Sequence, residues 1–313
     1  MKAIILQKPG EVDQLSYADL ERPDILKDEV LVEVKAIGIN PVDYKVRANE
    51  DVLTMIYGEE RPAILGWDIA GVVIAVGSGV TEFEVGERVF GMVNFPGAGK
   101  AYAQFVNAPA HQLSLIPPNI SFEAAAATTL AALTALQVLR NNVKENDRIL
   151  IHAGSGGVGH FAIQIAKTMG AYVITTGSGK NRDMVMSLGA DEFIDYTTQA
   201  FQEVVKEVDF VFDMFNGEVL LHSIAVVKKR GKIISLPTPE FSEEIQRLAQ
   251  EREVDLSFLM VQSNGEDMRK LASLLESGAI KPHISRIFLF DEMAEAHRQL
   301  ESGRTVGKVV VTL

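Results

Sequence analysis

The sequence contains no cysteine. Disulfides, thiolate metal ligands and cysteine nucleophiles are thereby excluded, and a reducing, cytoplasmic location is expected. Basic charge is also scarce: 30 Lys and Arg stand against 42 Asp and Glu, for a formal net charge of −12. A field of that sign repels phosphate backbones, and the one dense basic run, Lys228-Lys229-Arg230, is as short as a solvated helix end. No nucleic-acid partner is expected. The longest apolar run, residues 124–139, carries Thr128, Thr129, Thr134 and Gln137 and reads as falling short of a membrane span. The start, Met1-Lys2-Ala3-Ile4-Ile5-Leu6, breaks at Gln7-Lys8-Pro9, too soon for an export signal. A soluble protein without a membrane partner is the expectation. The six histidines show no ligand spacing on one helix face, so no metal site is expected. None of the six tyrosines has a lysine four residues on, so the Tyr-x-x-x-Lys pair with which some dehydrogenases hold an alkoxide is missing as well.

What is present is a chain of 313 residues, 47% hydrophobic, enough for one large core or two domains. Its most informative segment is His152-Ala153-Gly154-Ser155-Gly156-Gly157-Val158-Gly159, set between an apolar strand and a helix-period stretch. Gly154, Gly156 and Gly159 form G-x-G-x-x-G. The first allows a tight turn, the second lets the backbone approach a pyrophosphate, and the third lets helix and strand pack closely, while the helix N-terminus offers N–H groups to the anion. Val158, Phe161, Ala162, Ile165, Ala166 and Met169 follow at helical spacing, and Gly170 stops the helix. The segment reads as a dinucleotide site rather than a plain glycine-rich turn, with Gly154, Ser155, Gly156, Gly157, Val158 and Gly159 expected to form its cofactor-contacting loop.

An NAD site usually carries an acid at the end of the second strand to accept from the ribose 2′-OH. Here that strand runs into Thr176-Gly177-Ser178-Gly179-Lys180-Asn181-Arg182, with small residues, a hydroxyl and two cations that suit a 2′-phosphate, so NADPH is the expected cofactor. The competing reading makes Lys180 and Arg182 surface charges and Ser178 or Asn181 a helix cap.

From residue 143 to about 260, short apolar strands alternate with helical segments, with strand candidates at 148–152, 172–176, 192–194, 209–212, 232–236 and 254–258. That pattern predicts an α/β, Rossmann-type doubly wound parallel sheet. Before it, 2–6, 29–37, 70–76 and 88–92 read as strands of a largely antiparallel unit with few helical periods. After it come a helix at 265–276, a strand at 287–289, a helix at 293–301 and the apolar strand 306–313, which should rejoin the N-terminal unit. A ligand is expected at the carboxyl ends of the parallel strands, in the crevice between the two units. With neither metal nor activated tyrosine to take an alcohol's proton, the chemistry left is hydride transfer to an acceptor already electrophilic, such as a quinone or an α,β-unsaturated carbonyl, whose developing charge hydrogen bonds can hold.

Together these motifs resemble the medium-chain dehydrogenase/reductase superfamily, specifically its zinc-free quinone oxidoreductase branch of zeta-crystallin-like proteins and enone reductases. The resemblance rests on Gly38-Ile39-Asn40-Pro41-Val42-Asp43, Pro62-Ala63-Ile64-Leu65-Gly66-Trp67-Asp68 with Ala70-Gly71-Val72-Val73, Val85-Gly86-Glu87-Arg88-Val89, Leu133-Thr134-Ala135, the glycine loop, Leu188-Gly189-Ala190-Asp191 and Gly307-Lys308-Val309-Val310. Trp67 stands where zinc-dependent relatives have a histidine. The resemblance implies a GroES-like β-barrel domain built from residues 1–117 and 263–313 around an NADP-binding Rossmann domain at 118–262, and a homodimer. It also implies that Asn40 lies close to the nicotinamide, Thr129 near the cofactor, and Lys180 and Tyr196 beside the adenosine 2′-phosphate, which Ser178 joins. Tyr44 and Lys45 follow Asn-Pro-Val-Asp as in enone reductases, where they would orient the substrate carbonyl or donate a proton. Asn40, Tyr44 and Lys45 are therefore the candidate catalytic set, with a core aromatic at Tyr44 and an Asp43–Lys45 ion pair as the structural alternatives. Trp67 is expected to pack, and Asp68 to cap or pair locally. The leading function is an NADPH-dependent quinone or enone oxidoreductase; the alternative is an NADPH-binding sensor or crystallin-like structural protein with little turnover.

Overall fold

The computed structural model describes residues 1–313 apart from Glu60 and Thr238. The chain divides into two compact units, Met1–Leu133 with Val261–Leu313, and Thr134–Met260.

The second unit is built on a six-stranded sheet that is parallel throughout, in the order Glu192–Asp195, Tyr172–Gly177, Arg148–Ile151, Val208–Asp213, Val227–Ser235 and Asp255–Phe258. Numbered by sequence this is the doubly wound order 3-2-1-4-5-6, and the order reverses at Arg148–Ile151, the strand that feeds the glycine loop. Ile149, Leu150 and Ile151 are fully buried because a parallel sheet is covered on both faces, which is why the strands read as apolar runs. Leu150, Ile174 and Val211 of the sheet pack with Leu220 and Ile224 of the helix Gly217–Val226.

In the first unit the long strand Glu29–Ile39 organises a seven-stranded sheet. One edge of it pairs antiparallel with Asp68–Val76, which continues to Arg88–Met92 and Leu113–Leu115. The other edge is shared end to end: Glu29 to Glu33 pair with Phe105–Pro109, and Ala36 to Ile39 with Lys308–Thr312. The chain's last strand thus rejoins the N-terminal unit. Ile284–Leu289 lies parallel beside it, with the helix Met293–Glu301 between the two in sequence. A smaller antiparallel sheet of Leu15–Asp19, Lys2–Leu6 and Ala63–Ile64 completes the GroES-like unit.

Two parts of this unit differ from the sequence expectation. The segment after Asn40 is helical, as Pro41–Ala48 and Glu50–Tyr57, with Asn40 and Asn49 at the two N-cap positions and Pro41 in the first turn. The apolar run at 124–139 is the 18-residue helix Phe122–Leu139, whose mean hydropathy of 1.4 does make it long and apolar enough to cross a membrane by those measures. It is 78% buried, as a core helix is.

Candidate active site

In the second unit the strand Arg148–Ile151 ends in His152 and Ala153, and Ala153 turns the chain with a φ of 51°. The loop is then pinned to the neighbouring strand: the Gly154 N–H donates to the Thr176 carbonyl at 2.9 Å and the Ala153 N–H to Thr176 Oγ1 at 3.3 Å. Two glycines are required by contact. A Cβ on Gly154 would lie 2.1 Å from Thr175 Oγ1, and one on Gly159 would lie 2.1 Å from the Ala153 carbonyl oxygen. Gly156 is under no such constraint, with its nearest neighbour at 3.1 Å. The main-chain N–H groups of Gly157 and Val158 precede the helix Gly159–Thr168 and have no acceptor among the described residues. Backbone donors left open at a helix N-terminus, over a glycine that a ligand can approach, fit a dinucleotide pyrophosphate.

His152 is the keystone beneath this loop, a role the sequence did not reveal. Ser223 Oγ donates to the Val219 carbonyl at 2.8 Å, so it accepts from His152 Nε2–H at 2.9 Å. Nδ1 is left to accept from the Thr176 hydroxyl at 3.1 Å, and Thr176 Oγ1 in turn accepts from Ala153. The imidazole also meets Phe201 edge-on at 4.8 Å. Burial lowers its pKa to about 4, against a smaller raising effect of Asp213. The ring is therefore neutral, and its hydrogen bonds fix the tautomer.

The second loop leaves the strand Tyr172–Gly177 at Ser178 and makes a single turn over Gly179–Asn181. Asn181 Nδ2 donates to Ser155 Oγ at 3.0 Å, which ties the two loops together. Ser178 is half-buried, Lys180 is exposed, and Tyr196, on the neighbouring strand end, is 64% exposed. No acid stands at the end of this strand, but Asp195 at the end of the next one accepts from the Thr197 N–H at 3.0 Å and from its hydroxyl at 2.7 Å. These bonds lower its pKa, the Thr197 hydroxyl most. Asp195 also lies against Gly179 in the turn that presents Lys180, where a Cβ would stand 2.2 Å from its Oδ2. The other cation of this loop, Arg182, has its guanidinium 5.6 Å over the Phe193 ring.

In the first unit the structure gathers a buried polar cluster around Asn40, which is 1% exposed. Its N–H donates to Asp43 Oδ2 at 2.7 Å, its Nδ2 donates to Asp68 Oδ2 at 2.7 Å, and its Oδ1 accepts from Lys308 Nζ. Lys308 also donates to the Ile39 carbonyl at 3.0 Å and stands 3.9 Å from Asp68 Oδ2. Asp68 Oδ1 accepts from the Leu130 N–H at 3.1 Å, next to the fully buried Thr129. Asp68 is thus a junction of the unit rather than a local cap. Around it, burial raises the carboxyl pKa of Asp68 and lowers that of the Lys308 ammonium, each opposed by the other's charge. Asp43 is pushed up to about 7, chiefly by burial, with the Asn40 N–H acting against it.

A second chain of bonds runs behind this cluster. Arg47, on the same inward face as Asp43, donates to His297 Nδ1 at 3.1 Å and pairs with Glu301. His297 Nε2 then faces the Tyr102 hydroxyl at 2.9 Å. Burial, followed by the Arg47 charge, drives the His297 pKa down to about 3. Tyr44 is half-buried and Lys45 exposed on the other faces of the helix Pro41–Ala48. The Asp43–Lys45 ion pair weighed from the sequence is not among the ion pairs of the described residues, since Asp43 turns inward to Asn40. Trp67 packs as expected, fully buried, with Nε1–H donating to the Gly97 carbonyl at 2.6 Å and Phe95 edge-on at 5.4 Å. Among the described residues no group of three or more His, Cys, Asp or Glu could hold a metal ion.

With this geometry in view, comparison with known proteins settles the class. Residues 26–118 match the alcohol dehydrogenase GroES-like domain, and residues 188–311 match the zinc-binding dehydrogenase family. The chain belongs to the medium-chain dehydrogenase/reductase superfamily, in its zinc-free quinone and enone oxidoreductase branch. It is 34% identical to the 2-methylene-furan-3-one reductase of Solanum lycopersicum, over 99% of this chain and 79% of that one. It is 33% identical to an NADPH-dependent alkenal/one oxidoreductase, chloroplastic, of Arabidopsis thaliana, over 99% of this chain and 79% of the relative. The solved structure of the quinone oxidoreductase from Coxiella burnetii superposes with a TM-score of 0.93 at 36% identity, covering 100% of this chain and 99% of that one.

Proposed function

We infer that this protein is an NADPH-dependent oxidoreductase that reduces quinones or α,β-unsaturated carbonyls without zinc. The observation that carries the reading is the glycine loop with its open N–H groups, followed by a second loop that presents Lys180 and lacks an acid at its strand end. The names of the relatives point the same way. NADPH, when bound, supplies the hydride. Gly154 and Gly159 keep the loop packed on its strand and helix, Gly156 would let the pyrophosphate come close, Gly157 and Val158 would donate to it, and Ser178, Lys180 and Tyr196 would receive the 2′-phosphate. Thr129 is assigned to the cofactor, and Asn40, Tyr44 and Lys45 to the acceptor, whose oxygen gains charge and needs donors as the hydride arrives.

The test is loss of NADPH absorbance with a panel of quinones and enones. Turnover of at least one acceptor, faster than oxidation of any primary alcohol, is expected; a silent panel would favour the sensor or structural alternative, and faster alcohol oxidation would overturn the chemistry. NADPH should bind at least about tenfold tighter than NADH, because a charge-assisted phosphate contact is worth about 1–3 kcal/mol. Lys180→Glu should erase most of that preference in a fluorescence titration, and equal affinity for both cofactors in the unaltered protein would refute it.

The same reading proposes a homodimer, for which the sheet edge at Asp255–Phe258 and the half-exposed Met260 offer a surface, with light scattering as the check. It also proposes a cytoplasmic site, supported by the cysteine-free composition.

A further inference from the structure

Asparagine carries an oxygen and a nitrogen of nearly equal size, and a half-turn about its last bond exchanges a donor for an acceptor. Asn40 does not have that freedom. Lys308 can only donate and an ionised Asp68 can only accept, and they meet Oδ1 and Nδ2 from opposite sides. The flipped amide would set its carbonyl against a carboxylate and its NH2 against an ammonium. The observed orientation uses one of the two Nδ2 hydrogens on Asp68 and leaves the other as the amide's remaining donor.

We propose that Lys308 and Asp68 are positioning residues for the reduction: they lock the Asn40 carboxamide with its N–H, not its carbonyl, as the group available to the reacting oxygen. The proposal rests on the reading of Asn40 as a residue at the reacting end of the site.

Three observations support it. Lys308 is almost fully buried, its side chain 3% exposed beside an Asp68 side chain at 0%. A buried ion pair is poor value for stability, since well-packed neutral residues of similar volume serve as well or better. Its presence therefore leaves room for a task besides holding the fold. The lysine is also aimed: its ammonium bridges the Ile39 carbonyl and the Asn40 side chain, the residues that enter the helix Pro41–Ala48. Asp68 is held in turn by the Leu130 N–H, so the lock is anchored on three separate elements, the strands ending at Ile39 and beginning at Lys308 and the helix Phe122–Leu139. A donor fixed before charge develops needs no reorganisation when it does, which is what a hydride acceptor's oxygen requires.

The test compares Asn40→Ala, the double variant Lys308→Met/Asp68→Asn, and the triple combination. The readouts are kcat at saturating enone, NADPH affinity by fluorescence, and thermal melting. The lock predicts that Asn40→Ala and the double variant each lower kcat on the order of 10–100-fold with NADPH affinity little changed, while Asn40→Ala, which takes a partner from two buried charged groups, also melts earlier. The triple variant should be no slower than Asn40→Ala alone, because the pair acts only through Asn40. If Asn40→Ala is slow while the double variant turns over like the parent, the lock is refuted and the Asn40 reading stands. If Asn40→Ala keeps full kcat, the reading of Asn40 fails and the lock fails with it. Should the double variant not fold, Lys308→Gln/Asp68→Asn decides: it keeps polar side chains of similar size at both places but removes both charges, so that all three amides can flip together; a folded protein with lowered kcat supports the lock and an unchanged kcat overturns it.

Discussion

A Gly159→Ala variant should melt earlier and bind NADPH more weakly than its parent, while Gly156→Ala should lose only the cofactor. The two glycines stand three residues apart in one loop, yet they answer to different constraints. A methyl group on Gly159 would meet the Ala153 carbonyl oxygen at 2.1 Å, its carbon at 2.8 Å and Gly154 Cα at 2.9 Å. All three are backbone atoms, and Ala153 is already turned into the left-handed region at a φ of 51°. Relief therefore means parting the loop from the helix that follows. Overpacking of this kind costs about 1–3 kcal/mol, which corresponds to a factor of roughly 5–150 in an equilibrium constant. At Gly156 the nearest atom is 3.1 Å away, so the loop gives by a few tenths of an ångström and the melt is unchanged; only the approach to the pyrophosphate is obstructed. Thermal melting and fluorescence titration on the same preparations read both quantities. A Gly159→Ala protein equal to the parent in both would show that the loop is not held as described.

The second large effect is expected in acid. His152 and His297 are buried and neutral, with pKa values lowered to about 4 and about 3. Above the ordinary histidine pKa near 6.5 both are neutral whether the chain is folded or not, and they leave stability independent of pH. As the pH falls below that value the unfolded chain takes up two protons that the folded protein refuses, and each costs about 1.4 kcal/mol per pH unit until its folded pKa is reached. Asp43 works against them. Its pKa of about 7 lets the folded protein take a proton before the unfolded chain does, so it adds stability as the pH falls from about 7 towards the ordinary aspartate range. These three groups together give a fall of about 1.4 kcal/mol per unit between pH 6.5 and 4, which the raised pKa of Asp68 makes shallower. Denaturant unfolding across that window measures it. His152→Gln should flatten the slope by about one proton's worth, and a slope indifferent to that change would mean that the imidazole is not neutral in the fold.

What could be read from the sequence followed from how each residue meets its surroundings. The parallel strands of the second unit are covered on both faces, so Ile149, Leu150 and Ile151 stand as an apolar run that composition alone marks out. The glycine loop was legible because Gly154 and Gly159 sit where nothing larger fits. The helix Pro41–Ala48 was not, because its inward residues include Asp43 and Arg47, polar side chains at i and i+4 that erase the hydrophobic period. The strands Leu15–Asp19 and Phe105–Pro109 were missed since neither carries a clean buried run. Asn40 was found through family resemblance, but its partners were not. Lys308 lies 268 positions away in an apolar strand, where a lysine reads as solvent-facing, and only the pairing of Lys308–Thr312 with Ala36 to Ile39 brings it in. His152 is one of six histidines without ligand spacing, and only its bonds to Thr176 and Ser223 place it under the loop.

The rejoining of the last strand sets an order of events on the ribosome. Residues of Thr134–Met260 are contiguous, so this unit has all its strands and helices as soon as Met260 emerges, and domains fold as units during synthesis. The other unit begins to appear first and is completed last: the upper half of Glu29–Ile39 lacks its partner until Lys308–Thr312 has been made. For the time it takes to synthesise some 270 residues, Ala36 to Ile39 present an unpaired apolar edge, the kind of segment to which holding chaperones bind and through which nascent chains aggregate. The segment that supplies the last donor to Asn40 is thus also the one that ends this exposure.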